Sequence, residues 1–438
     1  MNAFSDTTQN VMTQTAVTLE ELIRQTGSRA RVAARTLARA GSEAKNQALV
    51  AIARGLRANA EVVFEANRRD VERAIARGLT PAFIDRLTIE AKTLEAMAQG
   101  CLDIARLADP VGEIVGMHTL PNGMQLGRMR VPLGVLGMIY ESRPNVTVDA
   151  AALAIKSGNA VLLRGGSEAF ESNAVLGRIV RSALEEAGLP ADCVQTAPTA
   201  DRDFVGAMIT AKGLIDVIIP RGGKSLIARL EAQATIPMIH HLDGICTTYV
   251  DKDADLEIAL KVTDNAKTQR YSPCNATENL LVHSAVAEAF LPRIGRIFAD
   301  KHVQMRCDER ARRILQEVGI ETRAADPADW GTEYNAPIIA IAVVDTFDEA
   351  VDFITRYGSG HTDAIMTENL STARRFLREV DSSSVMVNTS TRLADGFEYG
   401  LGAEIGISTG KLHTRGPVGL EGLTNLKYIV LGNGQIRI

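Results

Sequence analysis

A chain of 438 residues has room for two or three domains with a sizeable core, and 46% hydrophobic against 23% charged residues is ordinary globular composition that excludes disorder over most of its length. Lys and Arg total 48 against 53 Asp and Glu, a net charge of −5 with no long basic run, so no nucleic-acid partner is expected. The longest apolar runs, 214–220 and 338–344, fall far short of the roughly 18 residues of a membrane helix, so a soluble chain with no membrane association is expected.

Residues 1–16 are polar, include Asp6, and lack the basic and apolar regions of a signal peptide; they read as a frayed tail. Five widely spaced cysteines (Cys101, Cys193, Cys246, Cys274, Cys307), with no Cys-x-x-Cys pair, point to a reducing cytoplasm and away from structural zinc.

Residues 18–107 are rich in Ala, Arg, Glu and Leu at helical spacing, interrupted at Gly41, Gly78 and Thr80-Pro81, and predict a helical layer. Pro121-Asn122-Gly123 between apolar runs predicts a β-hairpin over 118–131. Strands at 135–140, 160–163, 194–197 and 216–219 then alternate with helices at 146–156, 168–187, 203–211 and 224–233. That alternation predicts a mostly parallel sheet with helices on both faces. The rhythm restarts beyond His241, with strands at 247–250, 278–282, 338–344, 363–366 and 384–387 and helices at 255–268, 285–298, 309–318, 347–357 and 372–379. A terminal hairpin over 428–438 is expected to turn at Gly432-Asn433-Gly434.

The class is therefore α/β: two Rossmann-like αβ domains with a small β-hairpin oligomerisation element. A dinucleotide-binding domain is expected from 1–117 and 135–242, and a second domain from 243–424. Hairpins at 118–134 and 425–438 present open edges that seek another subunit, so a homo-oligomer is expected.

Two strand-to-helix turns, Arg164-Gly165-Gly166-Ser167 and Arg221-Gly222-Gly223-Lys224-Ser225, set bare N–H groups at a helix start beside a cation, as a diphosphate requires. Neither has Gly-x-Gly-x-x-Gly or P-loop spacing, yet two in one parallel sheet point to a dinucleotide at its carboxyl edge. Cys274 lies in the polar turn Arg270-Tyr271-Ser272-Pro273-Cys274-Asn275-Ala276, whereas the other four cysteines fall in packed stretches. It is the one thiol expected to have a lowered pKa and to act as a nucleophile. The loop Glu141-Ser142-Arg143-Pro144-Asn145 puts an acid, a hydroxyl, a guanidinium and an amide at the carboxyl end of a strand. His240-His241 has no third ligand at a usable spacing, so no metal is expected.

The run from Pro132 to Tyr140, the strand at 160–164 and Cys274 ahead of an apolar strand occur in the order found in the aldehyde dehydrogenase superfamily, which the chain resembles. More narrowly, Tyr140-Glu141-Ser142-Arg143-Pro144-Asn145-Val146-Thr147, Leu163-Arg164-Gly165-Gly166-Ser167-Glu168-Ala169, Pro273-Cys274-Asn275-Ala276 and Arg415-Gly416-Pro417-Val418-Gly419-Leu420-Glu421-Gly422-Leu423 resemble the gamma-glutamyl phosphate reductases. The resemblance runs from about residue 20 to the C-terminus. It implies an aldehyde-dehydrogenase-like fold whose first domain binds NADPH and whose second is catalytic. It also implies reduction of L-glutamate 5-phosphate to L-glutamate 5-semialdehyde, with release of phosphate, through a cysteine thioester on the route to proline.

Carried onto this sequence, the resemblance makes Cys274 the nucleophile and Ser142 or Asn145 the oxyanion donor, with the Asn275 N–H beside them. Arg143 and Arg270 become clamps for the substrate's phosphate or carboxylate. Arg164, Gly165, Gly166, Ser167, Gly222 and Gly223 would hold the cofactor, and Glu333 its nicotinamide ribose. Arg164 with the small Ser167 would leave charge and room for the 2′-phosphate of NADPH. At His241 the chain departs from hydrolytic members, which carry a water-activating Glu. A hydrolytic dehydrogenase using Glu278 is the alternative. Contact with glutamate 5-kinase is a further expectation.

Overall fold

Apolar residues at helical spacing fold the start of the chain into five helices, α1 (Leu19–Leu37), α2 (Ser42–Ala58), α3 (Ala60–Ala76), α4 (Pro81–Leu87) and α5 (Ala91–Arg106). The computed structural model describes residues 18–437, so the tail expected at 1–16 lies outside the described residues. Local chemistry sets the helix starts: Thr18 Oγ1 accepts from the Glu21 N–H, and Pro81 opens α4 where its missing N–H costs nothing. The face of α2 bearing Ala48, Leu49, Ile52 and Leu56 is buried in the core shared with α5.

Two strands, β1 (Ile114–Thr119) and β2 (Gln125–Pro132), make the hairpin expected around Asn122-Gly123, and Gly123 supplies the positive φ of 85° at its turn. Next come β3 (Val135–Tyr140), α6 (Val146–Lys156), β4 (Ala160–Gly165), α7 (Phe170–Glu186), β5 (Val194–Thr196), α8 (Asp203–Ile209), β6 (Val217–Arg221) and α9 (Lys224–Gln233). The strands pair in parallel in the order β5-β4-β3-β6. The chain moves outward from β3 to β5, then returns to the other side of β3 as β6. That reversal opens a crevice beyond the carboxyl ends of β3 and β6, the usual place for a ligand in such a sheet.

The second sheet is larger. It is built from β7 (Cys246–Val250), α10 (Leu256–Thr268), β8 (Thr277–His283), α11 (Ser284–Asp300), β9 (Gln304–Cys307), α12 (Glu309–Glu317), β10 (Arg323–Ala324), β11 (Ile338–Val344), α13 (Phe347–Tyr357), β12 (Thr362–Met366), α14 (Leu370–Glu379) and β13 (Ser384–Val387). Its order is β10-β9-β11-β8-β7-β12-β13, parallel throughout. Neither β9 nor β10 is evident from the sequence. Gln304-Met305-Arg306-Cys307 carries only two apolar residues, and β10 is an exposed two-residue edge. No helix among the described residues is long and apolar enough to cross a membrane.

Past the short ribbon β14 (Ile407–Ser408) and β15 (Gly416–Pro417), the last strand β16 (Thr424–Leu431) pairs antiparallel with the whole of β2, giving a three-stranded sheet β1-β2-β16. This corrects the expected terminal hairpin: residues 435–437 form no strand. The open edge of β2 offers β16 eight residues of continuous pairing, more than a four-residue return strand could supply. Gln435 instead donates through Nε2 to the Asn122 carbonyl at 3.1 Å, tying the end of the chain to the first hairpin.

Candidate active site

The site lies where the loops leaving β3 and β6 meet the chain entering β7, β8 and β12. Cys274 stands in the turn between α10 and β8, closed by the Ala276 N–H donating to the Pro273 carbonyl at 3.0 Å. The chain entering β7 runs hard against this turn. A Cβ on Gly244 would fall 2.0 Å from the Cys274 carbonyl oxygen, so only glycine fits there. One residue into β7, the buried Cys246 thiol donates to that same carbonyl at 3.2 Å. All five cysteines are free; Cys274 alone is not fully buried.

Burial pushes the Cys274 thiol up to about 12; Arg221 opposes the shift, and Glu333 and Glu404 add to it. The lowered pKa expected from the turn's N–H groups is therefore corrected, because desolvation outweighs them. The sulfur needs a base to become a thiolate. His241 lies beside it. Its Nδ1 meets the Ile407 carbonyl at 3.0 Å, which leaves Nε2 as the open nitrogen, and burial holds the imidazole below its usual range. Cys274 Sγ, a ring nitrogen of His241 and a ring nitrogen of His361 lie within 4.8 Å of one another. Spacing could not disclose this group, because the three residues are far apart in sequence. His240 points elsewhere, its Nε2 3.8 Å from Glu231.

Positive charge surrounds the sulfur. Burial in the cleft, and then the charges of Arg221, Arg86 and Arg270, push the Arg143 guanidinium below its ordinary range, while Cys274 acts in the opposite sense. Arg392, lowered first by burial, also feels Cys274 and Arg270. Arg143, Arg221 and Arg270 have no carboxylate partner within ion-pair distance among the described residues. The sequence points to Arg143 and Arg270 as clamps, but to Arg221 only as part of a turn, and gives no sign of Arg392. A small cavity of about 70 Å³ is lined by Arg143, Asn145, Asp149, Arg221 and Glu404 among others. Burial raises Asp149 to about 6 and Glu404 to about 7.

The two candidate oxyanion donors differ. Ser142 is buried with φ 48°, and both its N–H and its hydroxyl donate to Glu168 Oε1, at 2.8 and 3.2 Å. Its hydroxyl is thereby spent. Asn145 donates one amide hydrogen to Asp149 Oδ2 at 2.9 Å and lines the cavity with the second still available. The Asn275 side chain is a tether rather than a substrate contact: Nδ2 donates to the Arg392 carbonyl at 3.3 Å and the Ala394 carbonyl at 3.0 Å, pinning the nucleophile turn to the segment after β13.

The turn after β4 is closed on itself. Arg164 is buried and donates to the carbonyls of Gly165, Ala200 and Asp201, at 2.6, 3.2 and 3.0 Å, so backbone carbonyls already engage its terminal nitrogens. A Cβ on Gly165 would lie 2.1 Å from Asn173 Nδ2, and one on Gly166 would lie 2.0 Å from Glu168 Oε1. These glycines make room for the protein's own side chains, and Ser167 begins the one-turn helix that brings Glu168 in. At the turn after β6, the Gly223 N–H donates to Glu141 Oε2 at 3.3 Å, so an anionic oxygen already sits at the start of α9. Glu333 lies close by, raised by burial and drawn back down by Asn335 and the Gly244 N–H, with Asp243 and Lys224 acting on it more weakly.

Glu278 is wholly buried and pairs with Lys267 at 2.5 Å, a carboxylate engaged in the interior rather than offered to a water molecule. A larger cleft of about 670 Å³ opens between α1, α8 and α9, lined by Arg202 and Arg229 among others, away from Cys274.

A sequence model of the aldehyde dehydrogenase family matches residues 1–311 and 324–428. Among solved structures, the gamma-glutamyl phosphate reductase of Thermotoga maritima is 42% identical with a TM-score of 0.92, over 95% of this chain and 100% of that one. The gamma-glutamyl phosphate reductase of Saccharomyces cerevisiae is 31% identical with a TM-score of 0.52, over 94% of this chain and 98% of that one. A glyceraldehyde-3-phosphate dehydrogenase of Methanocaldococcus jannaschii complexed with NADP shares the fold at 17% identity, with a TM-score of 0.64 over 96% of each chain.

Proposed function

The chain belongs to the aldehyde dehydrogenase family, and from that premise we propose that it reduces L-glutamate 5-phosphate to L-glutamate 5-semialdehyde with NADPH, releasing phosphate, in proline biosynthesis. One observation carries the reading: Arg143, Arg221 and Arg270, three guanidiniums without carboxylate partners among the described residues, cluster beside the one partly exposed thiol, Cys274. A substrate with a carboxylate at one end and an acyl phosphate at the other matches that excess of positive charge.

His241 Nε2 takes the thiol proton, and the Cys274 sulfur attacks the acyl carbon. Asn145 and the nearby arginines stabilise the negative charge that develops on the acyl oxygen. The C–O bond to phosphate then breaks, leaving a thioester on Cys274 and free phosphate. When bound, NADPH supplies the hydride that reduces the acyl carbon. The Gly222-Gly223 turn, which opens α9, and Glu333 are the residues that would hold it. Breaking the C–S bond releases the aldehyde, and His241 returns its proton to the sulfur. A separate catalytic domain at 243–424 and a cofactor domain at 1–117 and 135–242 follow from this division of labour between the two sheets. The five free cysteines suit a reducing cytoplasm.

β16 and the tail beyond it expose Tyr428, Val430, Leu431 and Ile436, an apolar row that suits a second copy of the chain. Contact with glutamate 5-kinase is a further part of the reading.

The test is NADP+ reduction by glutamate semialdehyde with phosphate, with arsenate, or with neither. A site that expels phosphate must accept it in reverse, so turnover should depend on an added oxyanion. Equal rates without one would show that water resolves the thioester and would overturn the reading.

A further inference from the structure

The chemistry proposed above uses Cys274 and His241 and leaves His361 without a task. His361 is wholly buried, and its Nε2 finds no hydrogen-bond partner among the described residues. Its other nitrogen is 2.9 Å from Thr362 Oγ1, just as Nδ1 of His241 is held by Ile407, so in both rings the nitrogen left over is Nε2. The rings stand edge to face with centroids 5.1 Å apart, and the Cys274 sulfur completes the group within 4.8 Å.

We propose that His241, Cys274 and His361 bind a thiophilic divalent cation, Zn²⁺ in the first instance, as an inhibitory ion. Two imidazoles and a thiolate are the donor set Zn²⁺ prefers, with a fourth position left open, whereas Mg²⁺ and Ca²⁺ seek oxygen. Bonds of about 2.0–2.1 Å to nitrogen and about 2.3 Å to sulfur place tetrahedral ligand atoms roughly 3.3–3.7 Å apart. Closing the group from its present 4.8 Å limit takes a shift of about 1 Å, within reach of side-chain rotation. Cys274 is partly accessible, so the ion has a way in. On binding, Zn²⁺ replaces the thiol proton, which passes to the buffer, and nothing is oxidised or reduced. The sulfur lone pair that would attack the acyl carbon is then committed to the metal. Binding stands independently of the reductase reading; inhibition rests on it.

The experiment titrates the full-length enzyme, freed of metal by chelation, with Zn²⁺ against a chromophoric chelator and with Co²⁺ by absorption spectroscopy, following activity in parallel. The expected result is one equivalent bound, a thiolate-to-Co²⁺ charge-transfer band, and activity lost with Zn²⁺ and restored by chelator. His361→Gln should weaken Zn²⁺ by about tenfold or more while leaving basal turnover within about threefold. Should His361→Gln fail to fold, alkylation of wild-type Cys274 by iodoacetamide decides: Zn²⁺ slows it by about tenfold and Mg²⁺ does not. Undiminished affinity in His361→Gln, no charge-transfer band, or alkylation indifferent to Zn²⁺ would each overturn the site. Stoichiometric binding with the charge-transfer band but no reductase activity in the metal-free enzyme would leave the site standing and defeat the reductase reading instead.

Discussion

The turn after β4 and the turn after β6 share the sequence Arg-Gly-Gly, yet they do different work. Arg164 is folded onto three carbonyls and its glycines accommodate Asn173 and Glu168. Arg221 has no carboxylate partner among the described residues; its charge reaches Cys274, Arg143, His241 and Glu404, and its turn holds an anionic oxygen at the start of α9. Position in the sheet decides between them. β6 lies on the far side of β3, where the strand order reverses and the crevice opens, while β4 sits between β3 and β5. Identical local chemistry thus becomes a brace in one place and an anion site in the other.

If the Arg221 turn faces a working nucleophile, Cys274→Ala should lower turnover by about 10³-fold or more with the thermal midpoint unchanged, since only the covalent step needs the sulfur. Retention of more than about a hundredth of wild-type turnover would remove the premise that the turn faces the reacting atom.

The sharpest contrast pairs Arg221→Ala with Arg164→Ala. The first should reduce kcat/KM by about 10²-fold, the loss expected when a charge acting on developing negative charge is removed, with little change in stability. The second should cost about 1–3 kcal/mol in urea unfolding, because it strips hydrogen bonds from buried carbonyls. It should also leave the ratio of NADPH to NADH efficiency within about twofold, since that guanidinium is already engaged. Reversed outcomes would exchange the roles assigned to the two turns.

A titration separates the large sheet from both turns. His361 titrates at about 3 when folded, lowered first by burial and then by His241, against an ordinary value near 6.5. A lowered folded pKa means its contribution to stability is complete above about pH 6.5 and is lost as pH falls toward 3. His361→Gln should therefore flatten the decline in urea midpoint between about pH 6.5 and 4. An unchanged slope would show that the ring becomes charged in place.

The smallest effect on the site should come from removing residues 428–438. Sedimentation should report a smaller assembly and the thermal midpoint should fall, because β2 loses half of its pairing with β16. Neither change would leave the exposed row on β16 without a partner to explain it.

Most of the helices, and all strands but the edge pair β9 and β10 and the short ribbon β14–β15, were legible because periods of 3.6 and 2 and the residues at turns are local properties of the chain. The Cys274 turn and both Arg-Gly-Gly turns were visible for the same reason. What the sequence could not disclose depends on elements brought together from far along the chain. The chain that packs against the Cys274 turn comes from Gly244 and the strand after it, and His361 reaches the site from the start of β12. The partner of β16 turned out to be β2 rather than the chain's own tail. Local chemistry decides what a residue can do; the order of strands decides which charges and edges are already satisfied, and so which remain to act.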